Sequence, residues 1–142
     1  MSRLLRTLLA LALTSACGGV SEPGRAGAPV TGSWRYIARQ SVPADADLSG
    51  TIAFTLQNAA TVSGALDAIE TDSRGQQRRL AGAFNGRTID STTVDIDVAL
   101  TTGVRRHVGV VKGDSLTGSW IETPLNGGAP NASGTFRAAR QR

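Results

Sequence analysis

The chain has 142 residues, 40% hydrophobic and 18% charged, with one histidine and one cysteine. A lone cysteine excludes an internal disulfide framework, and a lone histidine leaves any metal site to carboxylates, so neither a metal nor another cofactor is expected. The formal charge of +4 is halved once Arg3 and Arg6 are set aside. The pairs Arg78-Arg79 and Arg105-Arg106 have no aromatic beside them, unlike the basic, aromatic-rich footprint of a nucleic-acid binder, and read as exposed strand faces.

The first segment, MSRLLRTLLALALTSAC, places two arginines before a short apolar run and small residues before Cys17. That order is a secretory signal peptide over residues 1–16, and its apolar run is well short of the roughly 20 residues that cross a bilayer. LTSACGG resembles the lipobox of bacterial lipoproteins, with Thr14 where an aliphatic residue is usual. The resemblance implies that Cys17 is lipidated and becomes the mature N-terminus. Residue Gly18, in place of Asp, implies an outer-membrane destination where the cell has one. The expected location is therefore the cell envelope, on the periplasmic face or the surface, with the membrane as partner through the lipid. Residues 17–30, rich in Gly, Ala and Pro, then read as lipidated cysteine and flexible tether, leaving 31–142 as one folded domain.

From residue 31 onward the apolar period is two. In TTVDIDVAL, Val94, Ile96, Val98 and Leu100 share one face, while Asp95 and Asp97 share the other, facing solvent. Ile52, Phe54 and Leu56 form a second inward set. Turn chemistry divides the chain into eight strands, at about 32–41, 48–57, 61–71, 77–85, 90–101, 104–112, 115–122 and 132–140. Asn85-Gly86 reads as a hairpin turn, and 123–132 as the longest connection. Short links between successive strands predict an all-β, eight-stranded antiparallel up-and-down barrel, since closure removes exposed sheet edges. A two-sheet sandwich from the same strands is the alternative.

Both tryptophans lie in copies of TGSW, at Thr31–Trp34 and Thr117–Trp120. Looser copies place Gly50, Gly64, Gly82 and Gly134, like Gly32 and Gly118, two residues before a large side chain and on the same face. Six such glycines surrounding a sheet mark bends that let it curl, and leave some interior space near the rims. Gly32-Ser33-Trp34 in the first strand, with Arg137 and Arg140 in the last, resembles the lipocalin and avidin superfamily of β-barrels. The resemblance implies that Trp34 packs near a closed end beneath Arg137 or Arg140. It implies no ligand, because the tryptophan-rich pocket of avidins and the disulfide pairs of lipocalins have no counterpart here.

The polar residues that parity brings toward the lumen are Tyr36, with Trp34, and Glu122, with Trp120. His107 has two readings. If Gly109 repeats the glycine pattern it points inward; if Val108 and Val110 are the inward pair, the favoured reading, it lies outside beside Arg105 and Arg106. Trp34, Tyr36, Trp120, His107 and Glu122 are thus the candidate ligand-binding residues. The leading function is a non-catalytic, lipid-anchored envelope protein binding a small apolar or amphipathic ligand in the lumen. The alternative is an envelope interaction module with a filled barrel. A hydrolase using His107 ranks last, as no G-x-S-x-G elbow is present.

Overall fold

The computed structural model describes residues 28–142, so the signal peptide, Cys17 and most of the tether lie outside the described residues. Among the described residues the strands are β1 (Gly32–Val42), β2 (Ala46–Asn58), β3 (Thr61–Asp72), β4 (Gln77–Thr88), β5 (Thr93–Ala99), β6 (Gly103–Lys112), β7 (Ser115–Pro124) and β8 (Ala132–Arg140). Each pairs antiparallel with its neighbour in sequence, and β8 pairs with β1, closing the barrel. The first and last strands meet in register from Trp34↔Arg140 to Gln40↔Gly134. Closure leaves no room for the sandwich.

Alternation explains nearly all of the core. Trp34, Ile52, Phe54, Leu66, Phe84, Val94, Ile96, Val98, Leu116 and Trp120 are all buried. Two departures have local causes. A bulge between Phe54 and Leu56 shifts the register against β3, so Leu56 emerges 56% exposed instead of continuing the inward set. Asn85 and Gly86 are not a turn: both sit inside β4, opposite Asp97 and Ile96, and the reversal comes at residues 89–92. There the Asp90 carboxylate accepts from the Thr92 and Thr93 backbone N–H groups, which holds it down to about 2. Side-chain capping does the work that Asn-Gly was expected to do.

The repeated glycines are sites of close strand approach. A methyl group on Gly118 would overlap the carbonyl oxygen of Val108, and one on Gly134 that of Arg39. Gly50, Gly64 and Gly82 meet neighbouring backbone in the same way, and Gly86 belongs with them. Gly32 differs, since its φ of 120° rather than crowding selects glycine there.

Hairpins alternate between two ends. The first end carries the start of β1, the turns at 59–60, 89–92 and 113–114, and the end of β8. It is sealed by residues assigned above to the tether. Ala28 and Val30 are fully buried, and the Trp34 indole N–H donates to the Val30 carbonyl at 2.8 Å. Gln57, re-aimed just beyond the β2 bulge, donates to the Ala28 carbonyl and accepts from the Val30 N–H. Among the described residues, Ala28–Val30 therefore pack with the barrel, ahead of residue 31. Arg140 lies over the Trp34 ring at 4.3 Å and donates to the carbonyls of Pro29 and Thr31. Arg137 does not share this role: it faces outward, between Ile37 and Thr117 on the flanking strands.

Candidate functional site at the polar end of the lumen

The opposite end carries the turns at 43–45, 73–76 and 100–102 and the loop at 125–131. Its interior differs in chemistry from the apolar closed end, and strand β6 makes the difference. Gly103, Arg105, His107, Gly109 and Val111 are inward, while Val104, Val108 and Val110 are about two-fifths exposed. This corrects two expectations together. His107 is inside, at 1% exposure, and Arg105 is wholly buried instead of lying on an exposed face with Arg106. Gly109 sets the phase. A methyl group there would press on the Phe136 ring and the Leu116 side chain, so the small residue must face the crowded interior and the valines must face out.

Arg105 is held by Glu122, which accepts from its Nε at 2.9 Å and its Nη2 at 2.6 Å. The other Glu122 oxygen accepts from the Thr102 hydroxyl at 2.7 Å. Glu70 of β3 approaches the same guanidinium at 3.8 Å while accepting from Arg78 at 2.8 Å. The guanidinium also stacks on the Trp120 ring, 3.9 Å from its centre. Buried charges are costly unless paired and hydrogen-bonded, and this cluster is only partly satisfied. Among the described residues, Arg105 Nη1, Trp120 Nε1 and Glu70 Oε2 are buried without a hydrogen-bond partner.

Deeper in, the Tyr36 hydroxyl donates to His107 Nε2 at 3.0 Å, and His107 Nδ1 donates to the Arg105 carbonyl at 3.3 Å. The first bond requires the neutral imidazole, with Nε2 as acceptor, and the second fixes its tautomer. Burial, with the Arg105 charge adding to it, pushes His107 down to about 3. Burial also pushes the Tyr36 phenol above its ordinary value, with Arg105 opposing the rise. Among the described residues, the two ring nitrogens of His107 are thus engaged by Tyr36 and by the Arg105 carbonyl.

The lowered value has a consequence for stability. The unfolded chain takes up a proton near the ordinary histidine value of about 6.5, and the folded chain does not until about pH 3. The histidine contribution is therefore complete above pH 6.5 and is lost as pH falls through that window, by up to about 1.4 kcal/mol per pH unit. Urea unfolding between pH 4 and 7 is expected to show this slope in the native chain and a shallower one in His107→Leu. Equal slopes would contradict the neutral, buried assignment.

Below this level the lumen is filled. Phe136 lies 5.9 Å from Tyr36 and 5.1 Å from His107, and Phe54 meets Phe84 edge-on at 5.0 Å. At two of the six glycines a ring occupies the space left open, Phe84 over Gly64 and Trp120 over Gly134, and Phe136 stands over Gly109 in the same way. The five sequence candidates thus separate. Tyr36, His107, Trp120 and Glu122 converge, whereas Trp34 belongs to the sealed end.

Three members of the site, Arg105, Glu70 and Thr102, were not among the candidates. Parity marked two of them, since Arg105 shares a face with Gly103 and Glu70 with Leu66 and Ala68. A charged residue is ordinarily assigned outward, which hid them. Beside the cluster the wall is incomplete. β4 pairs with β5 only from Phe84 to Thr88, while its partnership with β3 continues to Gln77. The resulting seam holds a hollow of about 210 Å³ lined by Arg78, Leu80, Leu100, Thr101 and Thr102, among others. Two of these, Arg78 and Thr102, are hydrogen-bonded to Glu70 and Glu122. Elsewhere Asp95, expected in solvent, stays on the outer face but is covered by a two-pronged bond from Arg106.

No family model matches the chain, and no curated protein matches it. Solved structures do. The protein mFAP2b, bound to DFHBI, superposes with a TM-score of 0.63 at 16% identity, covering 79% of this chain and 94% of that one. A redesigned β-barrel, mFAP1, also bound to DFHBI, gives 0.58 at 15% identity over 78% and 94%. An S-type phycobiliprotein lyase from Guillardia theta gives 0.50 at 10% identity over 79% and 88%. The likeness is one of fold.

Proposed function

We propose that this protein is a non-catalytic envelope component, tethered by a lipid on Cys17, whose barrel binds a small ligand at its polar end. One observation carries the ligand-binding half of the reading: Arg105 Nη1, Trp120 Nε1 and Glu70 Oε2 are buried with unused hydrogen-bonding capacity among the described residues, in a cluster joined through Arg78 and Thr102 to the hollow at the seam. Leaving such a group unsatisfied costs about 1–3 kcal/mol, so three in one place favour a ligand that supplies their partners. Two of the solved barrels of this architecture are bound to DFHBI, which supports small-molecule binding within such a fold. The hollow at the seam, lined in part by Leu80 and Leu100, is the proposed point of access.

Two measurements test the two halves of the proposal. Cells fed radiolabelled palmitate are expected to label the native chain and not Cys17→Ser; equal labelling of both, or of neither, rejects the anchor. Native mass spectrometry of protein purified gently from its own host is expected to show a small-molecule adduct that Trp120→Leu loses. A bare polypeptide mass rejects the ligand.

A second reading, a filled barrel serving as an interaction module, rests on the packed interior around Tyr36, Phe136 and Phe84. The bare mass, with a specific protein crosslink in cells, would favour it.

A further inference from the structure

The polar cluster constrains what its ligand is made of, and this inference rests on the ligand-binding reading above. We infer that the ligand presents a neutral head group carrying both a hydrogen-bond acceptor and a donor, of the amide, lactam or alcohol class, and not a carboxylate or an amine. Arg105 and Arg78 contribute two positive charges, and Glu122 and Glu70 two negative ones, joined in one chain of contacts. The groups facing them from below are uncharged, since Tyr36 and His107 are both held neutral at physiological pH. Thr102 adds no charge, and Gln40, the other buried polar side chain toward this end, bonds to the Ala44 carbonyl.

An ionised head would therefore bring one unbalanced charge into a buried site, and an uncompensated buried charge is strongly unfavourable. A purely apolar head would leave every orphan atom unpaired. The orphans themselves give the polarity. Arg105 Nη1 and Trp120 Nε1 are donors and call for an acceptor such as a carbonyl oxygen. Glu70 Oε2 is an acceptor and calls for an N–H or O–H. A neutral head with a carbonyl or hydroxyl oxygen and an adjacent N–H or O–H meets all three. The apolar side of the molecule then lies toward Leu80 and Leu100 at the seam.

The test compares octanamide with octanoate, matched in chain length and differing in head group, by calorimetric titration into the mature protein and into Glu70→Gln. Glu70→Gln leaves the Arg105–Glu122 pair intact and shifts the cluster by one positive charge. The native protein is expected to bind octanamide at least about tenfold more tightly than octanoate, and Glu70→Gln to narrow or reverse that ratio. Octanoate binding the native protein as tightly as octanamide, or a ratio unchanged by Glu70→Gln, overturns the neutral-head inference and leaves the ligand-binding reading standing. If neither compound binds but the host-purified protein carries an adduct, the head-group class is wrong and the site remains. If neither binds and no adduct is found, both fall, and the orphan atoms hold water only.

Discussion

Glu122→Ala is expected to lower the stability of the barrel by about 3–5 kcal/mol, the largest effect of any single side chain outside the aromatic core. The substitution removes three hydrogen bonds at once, two from Arg105 and one from Thr102. It leaves the Arg105 guanidinium with no solvent exposure, and only Glu70, at 3.8 Å, as counter-charge. The cost lies mainly in the stranded charge and only secondarily in the pair itself. Two controls separate these. Glu122→Gln keeps an acceptor for Arg105 and is expected to cost less. Replacing both partners, as Arg105→Met with Glu122→Leu, removes the charges together and is expected to recover much of the loss, although Glu70 and Arg78 are then left as a pair near the rim. Urea unfolding of the four proteins at pH 7 measures all of this. A loss below about 1 kcal/mol in Glu122→Ala would mean that the guanidinium reaches water, which contradicts the buried cluster.

The second large effect is expected at a glycine. Gly118→Ala adds one methyl group where β6 and β7 converge, within the carbonyl oxygen of Val108 and 2.6 Å from the Cα of Gly109. These are backbone atoms of a paired strand and have no rotamer by which to withdraw. Relief requires the β6–β7 ladder to open or the curl of the sheet to relax, and both disturb a barrel that must close on itself. Overpacking of this kind costs about 3 kcal/mol or more, against roughly 1 kcal/mol for an alanine at Gly75, where the turn is open but φ is +78°. Thermal unfolding of the two variants beside the native protein is expected to show that order. The reverse order would mean that the strand glycines are chosen for something other than close approach.

Legibility from the sequence followed the strength of each local signal. Strand β5 was readable because aspartates alternate with aliphatic residues over its whole length, so only one phase is possible. Strand β6 was not, because both of its faces carry apolar or small residues: Val104, Val108 and Val110 on one, Gly103, Gly109 and Val111 on the other. Hydrophobicity favoured the wrong phase, and only the crowding at Gly109 decides it. Once that phase is fixed, Arg105 and His107 turn inward together. The Leu56 error came from a bulge, which counts as one residue in the ladder and is invisible to periodicity.

The Asn85-Gly86 error arose because glycine serves two purposes in this chain, turning hairpins and admitting a neighbouring strand, and composition does not distinguish them. The burial of Ala28 and Val30, inside the segment read as tether, was hidden for a related reason. Ala28 and Val30 have no periodic context of their own; Gln57 and Trp34 bind their backbone, and Arg140 binds the carbonyls of the intervening Pro29 and of Thr31. The closed end was legible through the resemblance carried by Trp34 and the last-strand arginines, of which Arg140 and not Arg137 takes the part. The polar end was legible in three residues, Tyr36, Trp120 and Glu122, and became a site only when Arg105 and Glu70 joined them.

The central claim is that the unused valences of Arg105, Trp120 and Glu70 belong to a ligand. A crystal structure of protein purified gently from its own host tests it most directly. The account predicts density larger than a water molecule, in contact with Arg105 Nη1, Trp120 Nε1 and Glu70 Oε2 and extending toward Leu80 and Leu100. A single water bridging the three atoms, with the seam closed over it, would contradict the account.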